Sequence, residues 1–400
     1  MSQRMKEVPA WNATAHVSSQ VNEMPPSGIR KFFDLVSEME GAISLGVGEP
    51  DFVTPWHIRE ACIYSLESGF TSYTSNKGMP ELREMICQSM RSKTGLEYDP
   101  DEQALVTTGV SEAVDLAFRA TLNQGDEVIV PEPCYVAYVP DVMLAGGRAV
   151  VVQTRPEDRF KLRPESVQKA LTAKTRALLL SYPNNPTGAI MNREDLEELA
   201  DLVVEHDLLV VSDEVYGDLT YSGCHCSFAQ LEGMAERTLI LGGFSKSHAM
   251  TGWRIGYALG DPQVVGAMTK VHQYTMLCAP IMAQVAAVEA LQRGEEEMLK
   301  MKHEYNLRRR LFVAGLNRIG LNCFEPEGAF YAFPSIQATG LTSEEFAEAL
   351  LKDQKVAAVP GSVFGSSGEG FLRCSYATSR EELIEALDRI EIFLDGLSLP

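Results

Sequence analysis

From about residue 102 to residue 260 the chain alternates short β-branched runs with stretches of helical period, and this alternation most narrows what it can fold into. Strands are expected at 104–107, 127–130, 149–154, 177–181, 208–211, 238–241 and 255–259, with helices at 112–122 and 195–205 among them. Repeated strand-helix units with right-handed crossovers make a mostly parallel sheet covered by helices on both faces. The fold class is therefore α/β, with a large domain of this kind over 52–290. Beyond it the pattern is helical at 280–293 and 295–319, then mixed, with strands at 329–333, 356–359 and 371–375 and helices at 343–353 and 380–394. That mixture predicts a smaller α+β domain over 291–400, joined by an N-terminal arm, 1–51. The segment GSVFGSSGEG (361–370) reads as a flexible loop, since no Lys-Ser/Thr ending and no helix follows it.

Composition limits the partners. The 35 basic and 55 acidic residues leave a net charge of -20, which repels nucleic acid phosphates and anionic membrane surfaces. A small-molecule partner is expected, with no nucleic acid and no membrane. The N-terminus has no apolar core of signal-peptide length, so the expected location is cytoplasmic. Eight scattered cysteines, with only Cys224-His225-Cys226 close together, read as reduced thiols and not as a metal site.

Parallel sheets of this kind bind ligands at the carboxyl ends of their strands, so the residues closing each apolar run are the ones to inspect. One run closes on Thr108-Gly109-Val110-Ser111 before a helix, and another on YPNNPTG (182–188). A third closes on Ser212-Asp213-Glu214-Val215-Tyr216 and a fourth on Phe244-Ser245-Lys246, with Arg254 two helical turns further on. A lysine at a strand mouth becomes a nucleophile when burial or a cationic neighbour lowers its pKa, and Arg254 is such a neighbour. Pyridoxal phosphate requires an amine for its aldehyde, a carboxylate on the pyridine nitrogen, a donor to the ring phenolate, a flat side chain over the ring and an anion site. Lys246, Asp213, Tyr216 and Tyr135 meet the first four needs. Gly109, Val110 and Ser111 open a helix whose amides suit a phosphate, and Ser245 with Arg254 completes that site. Taken singly, each has a structural alternative, such as a helix cap for Asp213 or a turn for Gly109.

The chain resembles the class I/II aminotransferases of the aspartate aminotransferase superfamily, fold type I of the pyridoxal phosphate enzymes. The pieces that carry the resemblance are SLGVGEPDF (44–52), SYTSNKGMPELR (72–83), TTGVSEAVDLA (107–117), YPNNPTG (182–188), SDEVYGDL (212–219), FSKSHAMTGWRIGY (244–257) and FLRCSYA (371–377). It implies that Asn185 touches both the ring oxygen and the substrate carboxylate, that Arg373 grips that carboxylate, and that Gly48 makes a backbone contact beside it. It also implies a homodimer with shared active sites, in which Tyr73 reaches the cofactor phosphate of the neighbouring subunit. One departure is Gly243, where some relatives carry a phosphate-binding serine. His248 reads as structural, and Glu295-Glu296-Glu297 as a helix start.

The expected activity is transfer of an amino group between an L-amino acid and a 2-oxo acid in two half-reactions. A carbon-sulfur β-lyase on the same scaffold and a non-catalytic cofactor-binding regulator are the alternatives. Ile29, Ser111, Tyr135 and Tyr274 are the candidates for side-chain selection, and none is cationic. Ser111 replaces a lysine found in some aspartate-using relatives, which tilts the expectation toward aromatic or other large neutral amino acids. Aspartate stays open if an arginine reaches in from the partner.

Overall fold

The computed structural model describes residues 11–24, 28, 39 and 41–397. Its strands are β1 (Ile43–Ser44), β2 (Ala104–Thr107), β3 (Glu127–Glu132), β4 (Arg148–Gln153), β5 (Thr175–Ser181), β6 (Leu209–Asp213), β7 (Thr238–Gly243), β8 (Gly256–Leu259), β9 (Tyr331–Ala332), β10 (Val356–Ala357), β11 (Val359–Pro360) and β12 (Leu372–Ser375). Seven of them form the large sheet, in the order β2-β8-β7-β6-β5-β3-β4. All run parallel except β8, which is antiparallel to both of its neighbours, β7 and β2.

The sheet is apolar on both faces because helices cover both. In β5 Leu178 and Leu180 enter one core with Phe160, Leu196 and Val210, while Ala177 and Leu179 enter another with Phe118, Val128 and Leu241. Helix Val110–Thr121 buries Val110, Ala113, Val114 and Ala117, the three- and four-residue steps that set one face of a helix. Helix Arg193–Glu205 buries Leu196, Leu199, Leu202 and Val203, and its start is held by a capping box between Asn192 and Asp195. Helices Trp56–Glu67, Pro80–Thr94 and Ile281–Arg293 cover the β2 and β8 end of the sheet with Ile58, Leu82, Ile86 and Ala286. Each fully buried leucine or isoleucine contributes about 1.5–3 kcal/mol.

A further core is built on the 24-residue helix Glu295–Arg318, which buries Tyr305, Phe312 and Leu316. These side chains share a core with Phe330, Tyr331, Leu372, Leu383 and Ile390. Residues just before Asp51 join it, since β1 pairs in parallel with β10 through Ile43 and Val356. Arg308 then clamps Asp51 with hydrogen bonds of 2.9 and 2.8 Å.

Residues 361–370 differ from the open loop expected. They fold into two short 3-10 turns, Gly361–Phe364 and Ser366–Gly368, in which Gly361, Phe364 and Gly368 are buried. The reason is Glu132 at the end of β3, a buried carboxyl that needs donors and takes the Ser366 N–H at 3.0 Å. A side chain at Gly365, whose φ is +116°, would collide with that carboxyl.

Candidate active site

The carboxyl ends of the parallel strands open into a cavity of about 560 Å³. On its wall lie Gly48, Val110, Ser111, Tyr135, Asn185, Asp213, Tyr216, Ser245, Lys246, Arg254 and Arg373, drawn from positions 325 residues apart at the extremes. Gly109 stands immediately behind Arg254. Three of the expected residues lie elsewhere or go undescribed: Tyr73 and Tyr274 are 83% and 85% exposed and off this wall, and Ile29 falls outside the described residues.

Lys246 follows β7 and its Nζ donates to the Gly48 carbonyl at 2.6 Å. Burial lowers its pKa to about 8; Glu49 opposes this, and Arg373 and then Arg254 add to it. The amine is thus poised by desolvation first, with Arg373 ahead of the neighbour that the sequence suggested. His248, by contrast, is held near pKa 4 by burial and bonded to Ser247 Oγ at 2.8 Å, so it is neutral at physiological pH and lies off the cavity wall.

No helix links Lys246 to Arg254. The chain runs through turns and a short 3-10 segment, Thr251–Trp253, and Arg254 itself is left-handed at φ 52°. Arg254 still reaches the site because β8, which starts two residues later, is antiparallel and so begins at the edge where the other strands end. Its guanidinium lies over Gly109: a Cβ there would come within 2.6 Å of Nη2, and φ is +80°. Only glycine permits that approach. Helix Val110–Thr121 begins at this point, where first-turn amides have no carbonyl partner in the helix. Gly243 has a local cause too, since a Cβ there would meet Val110 Cγ2 at 2.9 Å.

Asp213 ends β6 and is 6% exposed. Burial pushes its carboxyl up to about pKa 6, against the pull of hydrogen bonds from Tyr138 and the Val215 N–H. On the same cavity wall Arg373, on β12 and 2% exposed, donates through Nη1 to Asn185 Oδ1 at 3.1 Å and through Nη2 to the Gly46 carbonyl. The Asn185 oxygen is thereby turned to the guanidinium, which leaves the amide NH2 as a donor. Arg373 also lies 4.7 Å from the Tyr331 ring centre, and Tyr331 Oη is 2.7 Å from Tyr216 Oη. Tyr135 packs edge-on to Tyr138, with ring centres 5.6 Å apart.

Sequence reasoning missed Tyr138, Ser181, Glu49, Asp141 and Tyr331, all on the same wall. Tyr138 had a faint signal, three residues after Tyr135, to whose carbonyl its N–H bonds at 3.2 Å in the turn that leads into helix Tyr138–Leu144. Tyr331 had none, because its place depends on β9 packing beside Tyr216, a residue far from it in the chain.

The donor set suits pyridoxal phosphate. A helix N-terminus and Arg254 supply an anion cradle that a single methyl at Gly109 would fill, and a buried carboxyl, a lysine and a second, buried arginine stand around one cavity. A family model for "Aminotransferase class I and II" matches residues 40–390. A putative aminotransferase of Bacillus subtilis, YugH, is 54% identical over 95% of this chain and 99% of its own. An aspartate aminotransferase of Pyrococcus abyssi is 46% identical over 94% of this chain and 97% of its own. The crystal structure of an aromatic aminotransferase from Pyrococcus horikoshii superposes with a TM-score of 0.88 at 45% identity, covering 93% of this chain and all of that one. These matches favour amino transfer over the lyase alternative. With the fold, the cavity and the matched 40–390 in agreement, the chain belongs to the class I and II aminotransferases, which use pyridoxal 5'-phosphate.

Proposed function

We propose that this aminotransferase takes its amino group from an aromatic or other large neutral L-amino acid and passes it to a 2-oxo acid in a second half-reaction. One observation carries the substrate class: the wall around Ser111 presents Val114, Tyr135, Val136 and the carboxyl of Asp141, an apolar surface bearing an acid. The cations that line the cavity among the described residues are Lys246, Arg254 and Arg373. Each of them has another task in this reading. A distal carboxylate would therefore find no free cation among the described residues and would meet Asp141, whose carboxyl burial pushes up to about pKa 7, whereas an aromatic ring would bury apolar area.

Pyridoxal 5'-phosphate supplies, when bound, the aldehyde that accepts the amino group and a ring that withdraws electrons from the substrate's Cα. In this reading Gly109, Val110, Ser111, Ser245 and Arg254 hold the phosphate, Tyr135 covers the ring face and Tyr216 donates to the ring oxygen. Asp213 keeps the ring nitrogen protonated. Arg373, with Asn185 and the backbone at Gly48, holds the substrate's α-carboxylate by a planar two-pronged contact. That contact fixes Cα beside Lys246, whose Nζ, neutral in a useful fraction because its pKa lies near 8, moves the Cα proton.

We infer a homodimer with shared sites and a cytoplasmic location. The dimer is supported by exposed apolar side chains in one region, including Ile63, Tyr64, Phe70 and Tyr73, joined to Tyr274 and Met276 by the Asn76 side chain bonding the Leu277 carbonyl at 2.7 Å. The location is supported by eight unpaired cysteines. Among the described residues no helix is long and apolar enough to cross a membrane.

The test is a panel of amino acids with 2-oxoglutarate and with pyruvate as acceptors. Phenylalanine or tyrosine should exceed aspartate in kcat/KM by about tenfold or more, the scale of one lost or repelled contact in a pocket. Aspartate as the better donor would overturn the substrate class without touching the assignment of amino transfer.

A further inference from the structure

Under Tyr135 the cavity floor contains a chain of three polar side chains. Tyr138, 2% exposed, lies with its Oη 2.8 Å from Asp213 Oδ2 and 2.8 Å from Ser181 Oγ. An ionised carboxylate only accepts, so the single O–H of Tyr138 is committed to Asp213. Ser181 must then donate its own hydrogen to the phenol oxygen. The other carboxylate oxygen, Oδ1, accepts the Val215 N–H at 3.1 Å. Each oxygen of Asp213 therefore has one fixed donor, and the Tyr138 ring meanwhile stands at 80° to the ring of Tyr135.

We propose that Tyr138 is a positioning residue for the cofactor: through the Ser181–Tyr138–Asp213 chain it holds Asp213 ionised and aimed at the ring nitrogen, and it braces Tyr135 over the ring face. The proposal rests on the role given to Asp213 above. Its physical basis is that a fully buried carboxylate must be compensated by donors or take up a proton. Around Asp213, Glu214 opposes ionisation, while Lys246, the Val215 N–H and Tyr138 favour it. Glu214 is itself occupied by His225 at 2.9 Å and by the hydroxyls of Ser212 and Ser227. Tyr135 and Tyr216 also face Asp213, and Cys134 faces Tyr138; burial pushes all three pKa values up, so all three are neutral, while Arg254 and Arg373 act on Tyr135. Without the phenol hydrogen the balance tips toward a protonated Asp213, which cannot stabilise a positive ring nitrogen.

Tyr138→Phe removes one oxygen and keeps the ring, so it separates the hydrogen bond from the packing. In this variant the Kd for pyridoxal 5'-phosphate should rise about tenfold at pH 7.5, the loss expected for a hydrogen bond to a charged group. The acidic limb of the kcat profile should move up by about one pH unit. Ser181→Ala should do the same to a smaller extent, and serves if the phenylalanine variant folds poorly. A double-mutant cycle shows whether the phenol acts through Asp213: in an Asp213→Ala background, Tyr138→Phe should change the cofactor Kd less than twofold. Two results would overturn the inference: an unchanged Kd and pH limb in Tyr138→Phe, or a full tenfold loss that persists without Asp213. If Asp213→Ala by itself left cofactor affinity and turnover intact, the role of Asp213 would fail first, and that outcome is visible separately.

Discussion

The Lys246 amine owes its lowered pKa to where it sits. Enclosure of the amine lowers its pKa to about 8, while the nearby Glu49 pulls in the other direction. A lysine is nucleophilic only when neutral, so its reaction should accelerate as pH rises through the folded-state value. The cofactor-free protein is therefore expected to combine with pyridoxal 5'-phosphate at a rate that climbs with a midpoint near pH 8. Glu49→Gln removes the larger of the two carboxylates that raise the lysine pKa, the other being Asp213, and the midpoint should fall. Stopped-flow absorbance across pH 6–10 checks both; a midpoint that rose in Glu49→Gln would contradict the assigned electrostatics. Lys246, Asp213, Asn185 and Arg373 could be nominated from residue type and motif. The pKa order of the neighbours could not, because Arg373 is distant in the chain and close only in space.

At the scale of elements, the junction between β3 and residues 361–370 brings an ionisable carboxyl into the interior. The Glu132 carboxyl is buried, and burial raises its pKa despite hydrogen bonds from Ser366 and Ser367. The native state thus holds a proton that the unfolded chain has lost, and the sign follows from that difference. Stability is fully present below the unfolded pKa of 4.5 and declines as pH rises through the raised folded value. Glu132→Gln, which keeps an acceptor for the Ser366 N–H and cannot ionise, should flatten this decline. Urea unfolding of the two proteins at intervals between pH 4.5 and 8 gives the measurement, and equal slopes would refute the assignment. The loop's sequence, rich in glycine and serine, carried no sign of this packing. Gly361 and Gly368 are required by backbone contact, with a Cβ on either reaching 2.1 Å from a carbonyl of the other, and this is a tertiary fact.

At the scale of the molecule, Tyr73 is largely exposed, and the proposed dimer gives it a role at the partner's site. A hybrid dimer tests this. One subunit would carry Lys246→Ala and the other a Tyr73 substitution that inactivates by itself. One site then inherits both lesions and the other neither, so the purified hybrid should recover up to about half of the native rate if the sites act independently. A hybrid as inactive as its parents, with normal dimerisation, would show that Tyr73 does not work across the interface. By itself the sequence determined the alternation of strand and helix, the motifs at the strand ends and the chemistry they point to, because periodicity and side-chain type are local properties. The antiparallel turn of β8 that delivers Arg254, the folding of β9 and β12 over the sheet that delivers Tyr331 and Arg373, and the Tyr138–Asp213 bond were decided only by the tertiary structure. Direction of a strand, the packing of one sheet against another and the partner of a buried carboxylate depend on contacts between residues far apart in the chain, which no local pattern encodes.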